Sequence, residues 1–399
     1  MKRFFLLFAL ALMVACQHSV QHSELAAGSW DAQVRNQLNS LLETYQDSGA
    51  YAVFDFDKTS IVHDVSQALW VYQVEHLCYA DAPAHGFLDG IPDVSRPIGG
   101  ASVAQAVAGA KGKGADGVAP EGGPTTFAEM GEVLKEEYAQ MAALKADGKT
   151  LNEIHATDTY KDFRARMATL LAKMDDVFGY EVSYLWMPGL LAGYTEAEAR
   201  EVVRAAVKDQ LGKDQLEVQE WTSPDGRWST PVERGIWFSP EMKDLYRCLA
   251  DNGITAYVCS ASLELIVEVL ACDPDLGVGL PPEQVFGLRF VPGDKIVAEY
   301  DPTYVQTIRD GKVTCIKTFM APLHGNKGPI LVGGDSNGDV PMLIAFEDTR
   351  HGLIIDVGRN PESKIGQLAT QAREQNNTGR YLLQPNFAPV RGKVDGGGI

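Results

Sequence analysis

The chain has 399 residues, of which 45% are hydrophobic, so it can bury a full core and still carry a second structural unit. Its formal net charge of -18 argues against unspecific affinity for nucleic acid or anionic lipid surfaces. The net charge does not exclude a small substrate, because a pocket can be locally positive in an acidic protein.

The first residues predict a secretory signal rather than a folded element. Two basic residues, Lys2 and Arg3, precede an apolar run over residues 4–14. That run is too short to span a bilayer as an ordinary helix and is typical of a signal peptide. We therefore expect the chain to be exported.

The end of this segment resembles the lipobox of bacterial lipoproteins, in which a cysteine becomes the lipid-bearing first residue. Here that cysteine would be Cys16, with Met13 where Leu is usual. The resemblance implies a lipoprotein signal peptide over residues 1–16, a tether over 17–28 and membrane contact only through the lipid anchor. We expect a periplasm-facing location at the cell envelope, or a soluble periplasmic protein if Cys16 is not lipidated.

Export would place the remaining cysteines in an oxidising compartment, where disulfides can form. None of them forms a C-x-x-C pair or has zinc-ligand spacing, and the sequence does not pair them. These cysteines are Cys78, Cys248, Cys259, Cys272 and Cys315.

Strand and helix signals follow a simple order along the rest of the chain. A first strand is predicted over residues 50–56, and a long, mostly helical stretch follows from about Ser66 to Gln219. Strands and helices then alternate, which is typical of a parallel sheet with helices on both faces. The sequence therefore predicts an α/β, doubly wound, Rossmann-like core over residues 29–62 and 235–390, with a helical cap over 63–234 inserted after the first strand.

Individual elements can be assigned from periodicity and capping signals. Cap helices are predicted over residues 64–77, 126–146, 158–174 and 195–211, the last with Thr195 and Glu198 in capping-box spacing. In the later region the pattern predicts helices over 240–252 and 263–271 and strands over 255–259, 330–332 and 353–357.

A Gly/Ala-rich segment over residues 98–124 contains a formal G-x-G-x-x-G at Gly112–Gly117. A dinucleotide site needs that motif directly after a strand and at the opening of a helix. Neither flank fits, so we interpret the segment as a flexible loop.

Two carboxylates end the first predicted strand, at Asp55 and Asp57, and two hydroxyls follow at Thr59 and Ser60. Residues two apart on a strand point to the same face, so one carboxylate could attack phosphorus while the other handles protons. A D-x-D pair also opens calcium loops, but those continue with another Asp or Asn and a Gly at the turn. On residue types alone, a phosphotransfer site and a solvated turn stay equally open.

Three further polar signals follow in a fixed order. Ser260 ends the strand predicted over 255–259, and Lys312 lies at the start of a helix. Asp335 and Asp339 follow the strand predicted over 330–332. Ligands of open α/β sheets bind at the carboxyl ends of the strands, and carboxylate oxygens suit magnesium, so Asp335 could join Asp55 on a divalent ion.

The segment Gly334–Gly338 also satisfies G-x-S-x-G after an apolar strand, as a nucleophile elbow would. A serine esterase using Ser336 needs an acid and then a histidine downstream. His351 is the later histidine, only 15 residues beyond Ser336, which is short for that architecture.

The ordered set of signals resembles the four motifs of the haloacid dehalogenase-like superfamily, most closely its phosphoserine phosphatase branch. A single D-x-D is weak evidence, whereas four motifs in order are specific. The matching residues are Asp55, Asp57 and Thr59 for the first motif, Ser260 for the second, Lys312 for the third, and Gly334-Asp335 through Asp339 for the fourth.

This resemblance implies roles for the carboxylates. Asp55 would be the nucleophile that forms an aspartyl-phosphate, and Asp57 would be the general acid and base. Mg²⁺ would be held by Asp55, the main-chain carbonyl of Asp57, and Asp335. Asp339 would orient the site without binding the metal.

The phosphoryl group would be held by Thr59, Ser260, Ala261 and Lys312. The choice of lysine stays open, because Lys317 would lie one helical turn beyond Lys312. Lys312 is favoured since it starts the predicted helix, and Lys327 is interpreted as a solvated loop residue.

The acid at Asp57 decides among subclasses of the resembling superfamily. Dehalogenases lack an acid at this position and ion-pumping ATPases carry Thr, so a phosphatase or a phosphomutase remains. The sequence therefore predicts an exported, magnesium-dependent phosphomonoesterase acting on a small phosphorylated metabolite such as phosphocholine or phosphoserine. A lipoprotein that binds a phosphorylated ligand without catalysis is disfavoured, because every charged catalytic position is filled.

The cap and its border are rich in aromatic residues, which either cage a quaternary ammonium group or pack as core. The chain's export signal and general layout also resemble bacterial phosphorylcholine phosphatases. His63, near the first motif, is a further candidate to line the pocket. The aromatic residues are Trp70, Tyr72, Trp186, Trp221, Trp228 and Trp237.

Overall fold

A computed structural model of the chain describes residues 23–98 and 123–387. The predicted signal peptide with Cys16, the first part of the predicted tether and the glycine motif at Gly112–Gly117 lie outside the described residues.

The described part of the chain forms one sheet of six parallel strands and a separate antiparallel hairpin. The strands are β1 (Tyr51–Phe54), β2 (Glu217–Thr222), β3 (Ser229–Arg234), β4 (Thr255–Leu263), β5 (Val285–Leu288), β6 (Leu331–Gly334), β7 (His351–Asp356) and β8 (Tyr381–Pro385). The sheet has the order β5-β4-β1-β6-β7-β8, and β2 pairs with β3. In register, Val53 lies opposite Tyr257 on one side and Val332 on the other. The strand order reverses around β1, which places the ends of β1, β4 and β6 beside one another.

Helices occupy the connections between these strands. They are α1 (Ala32–Tyr45), α2 (Val65–His76), α3 (Phe127–Ala146), α4 (Leu151–His155), α5 (Asp158–Phe178), α6 (Tyr180–Gly189), α7 (Glu196–Gln210), α8 (Pro240–Asp251), α9 (Glu264–Ala271), α10 (Asp310–Cys315), α11 (Val340–Ile344) and α12 (Lys364–Glu374). The capping box predicted from Thr195 and Glu198 is present at the start of α7.

Both faces of the sheet are covered, as side chains that alternate along β1 show. Ala52 and Phe54 pack into a hydrophobic cluster with α1, α8 and α9. Tyr51 and Val53 pack on the opposite face, in a cluster that includes residues of α10, α11 and α12. This two-sided burial confirms the predicted doubly wound α/β core.

The segment between β1 and β4 builds its own hydrophobic cluster from α2–α6 and the β2–β3 hairpin. Trp70 and Trp221 stack there with ring centroids 5.4 Å apart, and Trp186 and Trp228 are also buried. All four indoles belong to the core of the cap, and Trp70 also lines a cavity beneath it.

Helix α7 lies in the predicted cap segment but packs on the other unit. Ala199, Val203 and Val207 are fully buried in the cluster that contains Phe54 and the helices α1, α8 and α9. The cap is therefore anchored on the unit that contains the parallel sheet along a helix, and not only through its two chain connections.

The β2–β3 hairpin is an element that helical periodicity did not predict. Its turn contains Ser223-Pro224-Asp225-Gly226, where Gly226 adopts a left-handed conformation. Such a Pro-Asp-Gly segment between two short extended runs is a turn signal. The two strands carry many charged residues, so apolar and polar residues do not alternate clearly along them. The turn is therefore the better sequence signal for this hairpin.

Part of the predicted tether is fixed on the core. Ser23 Oγ donates to Asp251 at 2.8 Å, and the Ala26 amide donates to Asp244 at 2.8 Å. Residues 23–28 thus pack along α8. Within residues 23–98 and 123–387, no helix is long and apolar enough to cross a bilayer, and the five cysteines of that part are free thiols.

Candidate active site

The first motif sits where the central strand β1 ends. The Asp55 amide still donates to the Gly333 carbonyl of β6 at 3.0 Å, so the nucleophile candidate is held in register with the sheet. The chain then turns tightly, because the amides of Ser60 and Ile61 both donate to the Phe56 carbonyl. This turn places Asp57 and Thr59 in the buried space beside Asp55, which is 7% exposed.

Lys312 joins two of the predicted acids. Its Nζ lies 2.6 Å from Asp55 Oδ1 and 2.6 Å from Asp339 Oδ1, and its side chain is 3% exposed. The two carboxylates hold the pKa of Lys312 above its usual value despite burial. By contrast, Lys317 is exposed and lies over the Phe346 ring, and Lys327 is exposed. Lys312 is therefore the lysine that the fold brings to the site.

Asp339 has both oxygens engaged by the protein. Oδ1 is bound to Lys312, and Oδ2 accepts from the amides of Asp335 and Ser336 and from Ser336 Oγ, each at 3.0 Å. A Cβ at Gly334 would come within 2.4 Å of Asp339 Cβ, so the loop closes this tightly only with glycine there. Asp339 thus orients Lys312 and the loop after β6.

Asp335 lies beside Asp55, at the end of the neighbouring strand. Its Oδ1 accepts from Thr59 Oγ1 at 3.4 Å, and the same hydroxyl lies 3.5 Å from Asp55 Oδ2. Its Oδ2 is bound by Arg359 Nη2 at 2.5 Å. Thr59 therefore links the carboxylate oxygens that are not bound by Lys312 or Arg359, Oδ2 of Asp55 and Oδ1 of Asp335.

Carboxylate oxygens of Asp55, Asp335 and Asp339 all lie within 4.8 Å of one another. Burial, followed by the charge of Asp339, raises the pKa of both Asp55 and Asp335. A divalent cation would relieve this crowding, and such hard oxygen donors fit Mg²⁺. Because Asp339 is occupied by Lys312 and backbone amides, Asp55 and Asp335 are the side chains suited to hold the ion. The carbonyl of Asp57 as a third ligand stays a prediction.

The carboxyl of Asp57 is not part of this group but has its own set of donors. Oδ1 accepts from the Val65 amide at 2.7 Å, and Oδ2 accepts from Ser262 Oγ at 2.6 Å and Tyr184 Oη at 3.0 Å. Burial and then the charge of Asp64 raise the pKa of Asp57 to about 7, against the opposing effect of these hydrogen bonds. A carboxyl poised near neutral pH suits a group that must both give and take a proton.

We expect this raised pKa to make the free energy of unfolding depend on pH, measured on metal-free protein in the presence of a chelator. Between pH 4 and 7 the folded protein retains a proton that the unfolded chain, with the ordinary Asp pKa of 3.8, has released. The unfolded state binds fewer protons, so the free energy of unfolding should fall as pH rises through this window. Urea unfolding at pH 5 and 8 should show a smaller fall for Asp57→Asn than for the wild type. Parallel profiles for the two proteins would contradict the assignment.

The hydroxyl of the second motif already takes part in a hydrogen bond within the protein. Ser260 is buried, and its Oγ accepts from the Ser262 amide at 3.0 Å. Ala261 lines the cavity above Asp55 together with Lys312. A role for Ser260 in holding phosphate stays a prediction.

Two adjoining cavities open at these strand ends. One, of about 570 Å³, is lined by Asp55, Asp57, Lys312 and Asp335 on the core and by α6 on the cap. The other, of about 430 Å³, extends from it under the cap. They share walls formed by Lys58, Asp64, Tyr180, Tyr184 and Arg359. His63 lines the second cavity, as the sequence predicted.

The esterase alternative loses its base in this geometry. His351 begins β7 and pairs with Leu331 at the start of β6, whereas Ser336 lies beyond the end of β6. The serine and that histidine are therefore at opposite ends of the sheet. Ser336 Oγ donates to Asp339 and serves the fourth motif.

Tyr184, Arg359 and Ser262 are site residues that sequence reasoning did not single out. Tyr184 comes from the cap and Arg359 from the loop after β7, and neither lies in a pattern that indicates a site. Ser262 follows Ser260 by two residues in the sequence, so a second hydroxyl beside the second motif could be read there. Its contact with Asp57 depends on the turn after β1, which the sequence does not specify.

Fold and site together define a class of protein. A sequence model of haloacid dehalogenase-like hydrolases matches residues 129–343, more than half of the chain. The chain belongs to this family.

Two similar proteins cover most of the chain. A phosphorylcholine phosphatase from Pseudomonas aeruginosa is 25% identical over 380 residues, which span 89% of this chain and 86% of the relative. The crystal structure of a conserved, functionally unknown protein from Anaerococcus prevotii matches with a TM-score of 0.74 and 28% identity. That match covers 90% of this chain and 93% of the other. Family membership and the Pseudomonas relative indicate that the chain is a phosphatase.

Proposed function

We propose that the chain is a magnesium-dependent phosphomonoesterase that works through an aspartyl-phosphate on Asp55. The observation that carries this proposal is the grouping of Asp55 with Lys312 at 2.6 Å and with Asp335, beside a second carboxyl whose pKa is about 7. A nucleophile, a positive charge and a proton carrier thus meet at one strand end.

Each residue of the group supplies one part of the reaction. Asp55 attacks phosphorus, and Asp57 protonates the leaving oxygen. Asp57 then takes a proton from the water that attacks the aspartyl-phosphate, and Asp55 is restored as a carboxylate. Lys312 neutralises Asp55 and draws the phosphoryl oxygens toward it. Mg²⁺ on Asp55 and Asp335 would supply charge stabilisation for the anionic phosphoryl group.

The test is hydrolysis of p-nitrophenyl phosphate by the purified protein, with and without magnesium. We expect turnover that requires the metal, is lost in a chelator and returns on adding Mg²⁺. Insensitivity to organophosphates directed at serine should accompany it, since Ser336 is bound to Asp339. Turnover that a chelator leaves unchanged would contradict the proposed mechanism.

We further propose phosphocholine as a substrate, because the second cavity suits a cationic alcohol. Three acids, Asp64, Asp175 and Glu233, lie in its walls with the rings of Tyr180 and Tyr184. Aromatic faces and carboxylates together stabilise a quaternary ammonium group. Lys58 and Arg359 line the side shared with the first cavity, where the phosphoryl group would lie. The name of the Pseudomonas relative supports the same substrate.

Asp64→Asn tests this substrate assignment, because Asn retains the oxygen that caps α2 through the Gln67 amide. We compare phosphocholine with 3,3-dimethylbutyl phosphate, which has the same shape without the positive charge. The wild type should prefer phosphocholine, and the variant should lose about fivefold to tenfold of that preference. If the ratio of the two kcat/KM values does not change, Asp64 does not recognise the cation. Phosphoserine should be a poor substrate, since its carboxylate would face the same acids.

An exported, lipid-anchored location remains part of the proposal, based on the segment over residues 1–16. Radioactive palmitate should label the full chain in a bacterial host, and Cys16→Ala should abolish labelling. Labelling of the variant would rule out Cys16 as the anchor.

A further inference from the structure

The proton carrier is held from three separate elements, two of which, α2 and α6, belong to the cap. Val65 begins α2, Ser262 is the last residue but one of β4, and Tyr184 lies on α6. Tyr184 is 127 positions from Asp57 along the chain, and its hydroxyl reaches Asp57 Oδ2 at 3.0 Å. It also lies 2.5 Å from Ser262 Oγ, so the two hydroxyls and Oδ2 form a closed triangle.

The two oxygens of Asp57 have different kinds of partners. Oδ1 accepts from a backbone amide, which can only donate, so a proton on this oxygen would find no acceptor in that partner. Oδ2 faces two hydroxyls, each of which can donate or accept. The transferable proton of Asp57 is therefore placed on Oδ2, and the hydroxyl pair can satisfy that oxygen before and after the proton leaves.

We propose that Tyr184 is a positioning residue through which the cap orients Asp57 for proton delivery to the leaving group. The inference rests on the proposed phosphomonoesterase activity but goes beyond it, because it assigns part of the proton transfer to the cap. Both Tyr184 and Asp57 are buried and line the cavity that contains Asp55. Without the tyrosine hydroxyl, Oδ2 keeps one adaptable partner, and the carboxyl gains freedom to rotate.

The step that depends on this arrangement is cleavage of the ester. A bond forms between Asp55 and phosphorus while the bond from phosphorus to the alcohol oxygen breaks. That oxygen takes the proton from Asp57 Oδ2, leaving a carboxylate to which Tyr184 and Ser262 then both donate. A leaving group that is stable as an anion does not need this proton, so its release should depend little on Tyr184.

The experiment compares two aryl esters of nearly the same shape, p-nitrophenyl phosphate and phenyl phosphate. Phenolate is the poorer leaving group and needs the proton more. We compare kcat/KM values, because they report ester cleavage and not the later hydrolysis of the aspartyl-phosphate, which is common to both esters. For Tyr184→Phe we expect kcat/KM for phenyl phosphate to fall about tenfold or more, and kcat/KM for p-nitrophenyl phosphate to fall less than about threefold. Ser262→Ala should show the same selectivity, and it decides the question if the tyrosine variant does not fold.

Tyr138→Phe is the matched control, because this cap tyrosine donates to the Leu77 carbonyl at 3.3 Å and lies in the cap core. Any effect of that change should be equal for both esters. A loss by Tyr184→Phe that is equal for the two esters, or no loss for either, would overturn the inference. Failure of the wild type to hydrolyse p-nitrophenyl phosphate would instead overturn the proposed function itself.

Discussion

Lys312→Met should abolish turnover and also destabilise the fold. Lys312 is the buried cation that separates Asp55 from Asp339, with its Nζ at 2.6 Å from each carboxylate. Removing one partner of a buried charge pair leaves the others uncompensated and typically costs about 3–5 kcal/mol. Part of this loss should be recovered as the pH is lowered, because burial raises the pKa of Asp55 and that pKa rises further when Lys312 no longer opposes it. Urea unfolding at two pH values and p-nitrophenyl phosphate turnover measure the two effects.

Lys317→Met is the matched control for this change, since it removes the same charge one helical turn away. Lys317 is exposed and lies over the Phe346 ring at 5.9 Å. We expect stability within about 0.5 kcal/mol of the wild type and unchanged turnover. If activity is lost in the Lys317 variant and kept in the Lys312 variant, the assignment of Lys312 as the catalytic lysine is wrong.

Asp55→Asn should reduce kcat by on the order of 10⁴ or more, because the carboxylate is the proposed bond-forming group. The same substitution should change the stability of the metal-free protein little, despite this large loss of activity. Burial and the charge of Asp339 raise the pKa of Asp55, so its ionised form is unfavourable without a cation. An amide of the same shape removes that repulsion and can still accept from Lys312.

Thermal unfolding with and without Mg²⁺ separates these two consequences. The wild type should gain stability on adding Mg²⁺, whereas Asp55→Asn should gain less, because one ligand oxygen has lost its charge. Asp294→Asn, an exposed change, is the control and should behave as the wild type does. Retention of turnover by Asp55→Asn would disprove the nucleophile assignment, whatever the effect of magnesium.

The core could be predicted from the sequence because its polar residues follow apolar strands in a fixed order. Asp55 and Asp335 each directly follow a strand, and parallel strands bring such ends together. Ser260 follows the predicted strand over 255–259, but in the structure β4 continues past it to Leu263. The fold and the meeting of Asp55, Lys312 and Asp335 therefore follow from local signals along the chain. The resemblance implied that Asp339 orients the site without binding the metal. Its contacts with Lys312 and with the loop after β6, which closes this tightly only with glycine at Gly334, needed the structure.

The contribution of the cap could not be predicted in the same way. Tyr184 reaches Asp57 through the packing of α5, α6 and the hairpin, and packing of this kind leaves no signature near the tyrosine itself. Arg359 depends similarly on the course of the loop after β7. Aromatic composition drew attention to Trp70 and Trp221, but large apolar rings are as useful in a core as at a ligand, and the fold buries them.

The position of α7 limits how this phosphatase could be rebuilt with a cap from another protein. Its residues Ala199, Val203 and Val207 are buried with the core helices, although the helix belongs by chain order to the inserted segment. Exchanging the whole insertion would remove these side chains from the core, at about 1.5–3 kcal/mol for each valine left unmatched. A chimera should therefore exchange α3–α6 together with the hairpin and keep α7 with the core helices on which it packs. On this view, the exchangeable part of the protein is smaller than the insertion that the sequence outlines.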